Sequence, residues 1–414
     1  MSDAARPDAA RPGAARPFGA RPIYFDYAAT TPVDARVAAY MAECLTRDGT
    51  FGNPGSRSHA EGERAHEAVE AARRQVAAAV GAAPADVVWT SGATEANNLA
   101  IFGVALQART RGRHIITCKT EHKAVLDPCR ELERRGWSVT YLAPSARGRL
   151  DPARLAAALR PDTVLVSVMH VNNEIGVIQD VAGLATLVAR HGTARMHVDA
   201  AQSVGKCPID FAGAGIDLMS LSAHKAYGPK GAGALLVSAA RGVELEPLQY
   251  GGGQERSLRS GTVATHQVVG MGAAFALAAA DAAPESAESL RLAALRERLW
   301  DGIRVLGATF RNGEPSDCVP QLLNVSFGDV EGESLLAAVQ DELAVSTGSA
   351  CTSSLGEPSY VLRALGRDER LAEASLRLSF GRFSTAADVD HAIMVIGHAV
   401  LRLRSIGGLC ATAN

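Results

Sequence analysis

Met196-His197-Val198-Asp199-Ala200-Ala201-Gln202 and Asp217-Leu218-Met219-Ser220-Leu221-Ser222-Ala223-His224-Lys225 carry the deciding pattern, an apolar run with a charged residue just beyond it. The runs Met196 to Asp199 and Asp217 to Ser220 read as strands. Outward from them the same kind of run recurs at Val87 to Thr90, His114 to Thr117, Val139 to Leu142, Thr163 to Met169 and Ala234 to Val237. Helical patterns lie between most of these. In Arg57 to Val80, Ala65, Val69, Ala72, Val76 and Ala79 return at helical spacing with charged residues on the other face. Such alternation implies an α/β fold with a mainly parallel sheet covered by helices on both faces, and ligands at the carboxyl ends of its strands.

After Ala280 the pattern changes to a charged helix (Glu285 to Leu306), a strand (Leu323 to Phe327), helices (Gly332 to Leu343, Pro358 to Leu365), a strand (Ser375 to Phe380) and a closing helix (Thr385 to Leu403). This reads as a smaller α+β domain. The uncharged stretch from Gly261 to Ala280 contains Thr262, Thr265, His266 and Gln267, which favours a buried helix over a membrane span. The first 22 residues repeat Ala-Arg-Pro every five positions. Proline at that spacing prevents a helix, so a disordered tail is expected, and no apolar run of a signal peptide precedes the fold. The expected division is a tail at 1–22, a segment at 23–34 joining the small domain, a large domain at 35–267 and a small domain at 268–414.

The 42 Lys and Arg nearly balance the 44 Asp and Glu, for a formal charge of −2. A protein that holds nucleic acid or an anionic membrane by bulk electrostatics needs a basic face, so a small substrate is expected instead. The seven cysteines, Cys44, Cys118, Cys129, Cys207, Cys318, Cys351 and Cys410, are odd in number and scattered, unlike a disulfide framework or a zinc site. A reducing cytoplasm is expected, and no metal.

Three features point to chemistry. Ser91-Gly92-Ala93-Thr94-Glu95 follows a strand and opens a helix, which suits a phosphate on free N–H groups or is an ordinary strand-to-helix turn. Asp199, at a strand end, is either an acid awaiting a cationic partner or a helix cap. Lys225 stands between an apolar strand and the turn Gly228-Pro229-Lys230-Gly231, either as an amine nucleophile or as a loop lysine; for Lys230 the loop reading is preferred. In that order, phosphate turn, acid and lysine are what pyridoxal phosphate requires. Cys351 lies among small polar residues, Ser349-Ala350-Cys351-Thr352-Ser353-Ser354, which suits an exposed, working thiol; the other six thiols read as packing residues.

With these motifs the chain resembles the pyridoxal-phosphate cysteine desulfurases of the housekeeping iron-sulfur assembly type, in the class V aminotransferase family, from about Tyr24 to Leu403. The resemblance rests on Asp26-Tyr-Ala-Ala-Thr-Thr-Pro32, Gly52-Asn-Pro-Gly-Ser-Arg-Ser-His59, Ser91-Gly-Ala-Thr-Glu95, Thr120-Glu-His-Lys-Ala124, His170-Val-Asn-Asn-Glu-Ile-Gly176, His224-Lys225, Arg259-Ser-Gly-Thr262, Ser349-Ala-Cys351-Thr352 and Glu357-Pro-Ser-Tyr-Val-Leu-Arg-Ala-Leu365. It implies an aspartate aminotransferase-like large domain in which Lys225 carries the cofactor, Asp199 keeps its ring nitrogen protonated, His122 stacks on the ring and moves protons, and Gln202 bonds the ring oxygen. Ala93, Thr94, Ser222 and His224 would hold the phosphate, joined by Thr262 from the neighbouring subunit of a homodimer. Asn173 and Arg377 would grip the carboxylate of L-cysteine, and Cys351 would take its sulfur as a persulfide, releasing alanine.

The same resemblance implies sulfur delivery to acceptor proteins such as an iron-sulfur scaffold, although relatives continue beyond Leu403 into a longer tail that docks it. Ala201 and Ala223 stand where many relatives carry Thr and Gly. An aminotransferase or selenocysteine lyase would keep Lys225 and Asp199 without needing Cys351. A non-catalytic sulfur-acceptor platform would need neither.

Overall fold

The computed structural model describes residues 21–192, 194–348 and 358–411, with 408–411 as backbone only. The expected tail therefore lies almost wholly outside the described residues. The strands are β1 (Ile23–Tyr24), β2 (Val87–Thr90), β3 (His114–Cys118), β4 (Ser138–Leu142), β5 (Thr163–Met169), β6 (Arg195–Asp199), β7 (Leu218–Ser222), β8 (Gly233–Val237), β9 (Thr309–Arg311), β10 (Leu322–Phe327), β11 (Leu343–Ala344) and β12 (Ser375–Ser379). The α-helices are α1 (Ala35–Glu43), α2 (Ala60–Ala79), α3 (Ala93–Ala108), α4 (Lys123–Arg134), α5 (Pro152–Ala158), α6 (Val181–His191), α7 (Thr265–Ala278), α8 (Ala287–Arg304), α9 (Gly332–Val339), α10 (Tyr360–Ala364), α11 (Glu369–Glu373) and α12 (Ala386–Ala411).

Seven strands form the large sheet in the order β2-β8-β7-β6-β5-β3-β4, parallel throughout except that β8 runs against both its neighbours. Both faces are covered, and alternate residues serve opposite cores. Trp89, Ile116, Met219 and Leu236 pack with α2 and α7, while Val88, Ile115, Leu218 and Leu235 pack with α3 and α4. Each fully buried aliphatic side chain of this kind contributes about 1.5–3 kcal/mol of transfer free energy, which makes the register hard to shift.

β7 begins one residue later and ends two residues later than its sequence pattern suggests, because Asp217 is occupied elsewhere. Its carboxylate accepts from Met196 N at 2.8 Å and pairs with Arg195 and Arg241 at 3.1 and 3.0 Å. The strand thus runs on to Ser222 and delivers Lys225 in the single turn that follows.

A second, three-stranded antiparallel sheet, β12-β10-β9, packs with α8 and α12. Phe25 joins that core, and β1 pairs in parallel with β11, so the amino-terminal segment is built into the smaller unit. The helix expected over Gly332 to Leu343 stops at Val339 for this reason: Ile23 N bonds Glu342 O at 2.8 Å, and the chain there becomes a strand. The closing helix begins where Thr385 and Asp388 exchange capping hydrogen bonds, and it continues eight residues past Leu403.

The expected boundary between 267 and 268 falls inside α7. Val268, Met271, Phe275 and Ala278 of that helix share the core of the large sheet, so α7 belongs there as a whole. Among the described residues no helix is long and apolar enough to cross a membrane.

Gly233 lies against the turn after β2. A Cβ there would sit 2.5 Å from Gly92 Cα and 2.6 Å from Leu221 O, and neither backbone atom can step aside. Gly233→Ala is expected to lower stability by about 1–3 kcal/mol. A urea midpoint equal to that of the unaltered chain would show that this packing is looser than described.

Candidate active site

A cavity of about 450 Å³ opens where β5, β6 and β7 end and α3 begins. Ala93, Thr94, His122, Asn173, Asp199, Gln202, Ser222, His224, Lys225 and Arg377 all line it. Thr262 does not, and is exposed on this chain. Cys351 lies outside the described residues.

The phosphate turn is shaped by Gly92, whose φ of 153° and ψ of 178° are open to glycine almost alone. No side chain caps α3, which leaves the N–H groups of its first turn available to an anion. Ser91, Gly92, Ala93 and Thr94 line the cavity there, and a Cβ at Gly92 would meet nothing within 4 Å, so the cradle has room.

Asp199 is 4% exposed. Its Oδ2 accepts from Asn97 Nδ2 at 2.7 Å and its Oδ1 from Ala201 N at 3.0 Å, so it caps the local turn and also faces the cavity. Asn97, on the second turn of α3, lines the cavity and was missed by sequence reasoning; the pair Asn97-Asn98 carries no signal of which side chain will face inward. Lys225 Nζ donates to Ala28 O at 2.7 Å and to Ala29 O at 2.6 Å. Gln202 Nε2 donates to the same Ala28 O at 2.8 Å. Lys230, read from sequence as a loop lysine, is exposed and stands at the cavity rim.

His122 caps α4, its Nδ1 accepting from Ala124 N at 3.1 Å. A backbone N–H can only donate, so Nδ1 is unprotonated and the remaining proton is on Nε2. Burial lowers the pKa of this imidazole and outweighs the opposing pull of Asp199. His224 is likewise neutral, pushed down to about 4 by burial and then by Lys225, with Nδ1 at 3.1 Å from Thr30 Oγ1.

Arg377, which reads without context as a surface arginine, is 1% exposed. Its Nη2 donates to Asp26 Oδ1 at 2.6 Å and its Nη1 to Asn173 O at 2.9 Å. Nε of Arg377 and Oδ1 of Asn173 are buried beside the cavity with no hydrogen-bond partner among the described residues. An unmatched donor on a guanidinium suits a carboxylate. Asp26, which holds the guanidinium, gave no sequence signal of this task.

The other described thiols are poor nucleophiles. Cys44, Cys118, Cys129 and Cys207 are buried and Cys318 is half-buried. Burial raises the thiol pKa at Cys44, and pushes Cys118 and Cys318 up to about 11 and Cys129 and Cys207 up to about 12. They stay protonated at neutral pH.

These residues fit pyridoxal phosphate by their chemistry. There is an uncapped helix start for the phosphate, a buried carboxylate for the ring nitrogen, an amine for the aldehyde carbon and unmatched polar atoms at the carboxylate end.

Beside the site, His170 Nδ1 meets Ser203 Oγ at 3.0 Å, and His197 sits between Ser167 and Ser220 at 2.8 and 3.0 Å. Burial pushes both imidazoles down to about 4, against 6.5 for an ordinary histidine. The unfolded chain therefore takes up protons first, and stability is expected to fall as pH drops from 6.5 to 4. Urea midpoints measured across that range test this, and a flat profile would mean that these histidines titrate normally.

Known proteins are similar to this chain in sequence and in fold. The sequence pattern of the class-V aminotransferases matches residues 23–392. The chain is 56% identical over 387 residues to the cysteine desulfurase IscS of Pectobacterium atrosepticum, covering 94% of this chain and 95% of that one. It is 57% identical, with the same coverage, to the IscS of Pseudomonas syringae pv. tomato. Among solved structures, a NifS-like protein superposes with a TM-score of 0.85 at 34% identity, covering 93% of this chain and all (100%) of that one. SspA in complex with cysteine superposes with a TM-score of 0.76 at 37% identity, covering 87% and 99%. With Lys225 and Asp199 converging beneath the uncapped start of α3, and with similarity along nearly its whole length, the chain belongs to the class-V aminotransferase family and, within it, to the IscS-type cysteine desulfurases.

Proposed function

We propose that the protein converts L-cysteine to L-alanine, keeps the sulfur on Cys351 as a persulfide, and passes it to acceptor proteins of iron-sulfur cluster assembly. The observation that carries this reading is the convergence, in one cavity, of an amine (Lys225), a buried carboxylate (Asp199) and a buried guanidinium with one unmatched donor (Arg377). A structural relative holds cysteine itself.

Pyridoxal phosphate, when bound, supplies an electron sink for the substrate's α carbon. The first turn of α3 with Ser222 and His224 holds its phosphate, and Asp199, oriented by Asn97, keeps a proton on its ring nitrogen. Arg377 and Asn173 orient the substrate carboxylate. The Lys225 amine takes the α proton, while His122, locked with its proton on Nε2, donates and recovers it on the cavity side. The Cys351 thiolate attacks the substrate sulfur. The C–S bond breaks as the S–S bond forms, and the electron pair stays on carbon, which takes a proton to become the methyl group of alanine.

Cys351 stands five residues beyond Ser346, whose backbone pairs with Arg377 itself, and eight before Ser359, whose hydroxyl donates to Glu174 Oε2 at 2.5 Å beside Asn173. Both stems of the segment are thus tied to the residues that would hold substrate.

We further propose a homodimer in which Thr262 reaches the phosphate of the second copy. It belongs to a loop whose neighbour Tyr250 is 73% exposed, with Leu248 also open to solvent. The working division is a large unit ending after α7 and a small unit that includes residues 23–34, with the cavity on their seam.

The test is release of alanine and sulfide from L-cysteine with a thiol reductant. Equal release of both is expected. Lys225→Ala is expected to lose at least about a thousandfold in rate. Cys351→Ser should retain the cofactor's colour yet release neither product, and alanine release at the normal rate from this variant would refute the persulfide route.

A further inference from the structure

A second half-buried lysine stands behind the first. Lys206 lies in the turn after β6, where its Nζ donates to Gln202 Oε1. It lines a separate small cavity of about 40 Å³, which Gln202 and Lys225 also line, so these two side chains form the wall between that space and the active site. The three are joined through one acceptor, since Ala28 O receives both Gln202 Nε2 and Lys225 Nζ.

This network settles which way the Gln202 amide points. The Ala28 carbonyl can only accept, so Nε2 must face Ala28 and Oε1 faces Lys206, whose nitrogen carries an N–H to donate in either protonation state. One N–H of Gln202 is then left for a ligand, and Gln202 can act there only as a donor. A donor at that place matches an anionic ring oxygen and mismatches a protonated one.

The charges around Lys206 do not offset it. Lys225 and Arg377 both oppose its protonation, and only Cys207, itself held as a thiol, acts the other way. Of the carboxylates lining the small cavity, Asp281 pairs with Arg382 at 3.2 Å and Glu288 with Arg291 at 2.8 Å. Tyr27 and Tyr227, which also line it, are held neutral by burial. Burial first, and then Lys225, bring the Lys206 amine down to about 7.

We propose that Lys206 is a positioning residue of the desulfurase site, which fixes Gln202 as a hydrogen-bond donor to the ring oxygen of pyridoxal phosphate and, by like charge, disfavours a proton on the Lys225 nitrogen. This rests on the reading of the site given above. Without Lys206, Gln202 Oε1 becomes an enclosed acceptor with no donor, and the amide loses the contact that orients it. Lys225 meanwhile loses a cationic neighbour, and its nitrogen holds a proton to higher pH.

The test compares the pyridoxal-phosphate-loaded wild type with Lys206→Met and Lys206→Gln by titrating the cofactor's visible absorbance against pH and measuring its dissociation constant. Lys206→Met is expected to raise the titration midpoint by about one unit and to weaken cofactor binding about tenfold. Lys206→Gln, which keeps a donor for Gln202 and lacks the charge, is expected to recover the binding while its midpoint stays raised. A merely structural role would lower thermal stability in both variants and leave the midpoint where it was. An unchanged midpoint in folded Lys206→Met overturns the proposal. Should that variant not fold, an unchanged midpoint in Lys206→Gln does so. Wild type that takes up no pyridoxal phosphate would instead refute the functional reading on which this rests.

Discussion

Burying the Arg377 guanidinium is the constraint that organises the seam of the molecule. A charge 1% exposed has to be matched where it lies, and the matching groups come from two distant parts of the chain, a carboxylate from Asp26 and a carbonyl from Asn173, beyond the end of β5. Removing either leaves part of a buried cation unmatched. The backbone of Arg377 is held separately, by a pair of hydrogen bonds with the backbone of Ser346. The small sheet is thereby held against the carboxyl ends of the large one, and the substrate end of the cavity, the amino-terminal segment and one stem of the Cys351 segment meet at a single residue.

Around that seam burial turns several ionisable groups toward their neutral forms. His122, His170, His197 and His224 lose their charge to burial. Glu121, beneath the cavity, has its carboxyl held well above the usual carboxylate range by burial and, to a smaller extent, by Asp199. Asp199 and Arg377 carry charge on the cavity wall, where a low local dielectric strengthens each interaction. Lys206 shares this enclosed region with Lys225, and burial together with that cationic neighbour brings the Lys206 amine down to about 7.

The strands of the large sheet were legible because each is an apolar run with a definite end, and because alternation with helices leaves few topologies. The strand-end positions of Asp199 and Lys225 followed from the same pattern. The direction of β8 was not legible, since a continuous apolar run looks the same in either direction. Nor was β11, where Leu343 continues a helical spacing from Leu335 and Val339 and is diverted only by the backbone of Ile23, about 320 residues earlier in the chain. The uncharged stretch through α7 was correctly read as buried, but its place in the large-sheet core needed the packing of Phe275 and Met271 to be seen.

By itself, then, the sequence determined the class of fold and the order along the chain of the strand-to-helix turn, the acid and the lysine, because each depends on local pattern or local chemistry. Only the tertiary structure decided which neighbours those residues have. Asn97 on Asp199, Asp26 on Arg377, and Lys206 behind Gln202 are polar side chains with no local mark of their role. Their meaning comes from partners brought close by the parallel register of β6 with β7 and by the closure of the small sheet on the large one. Side-chain orientation, proton location and pKa are properties of that enclosure, where water no longer competes for the hydrogen bonds.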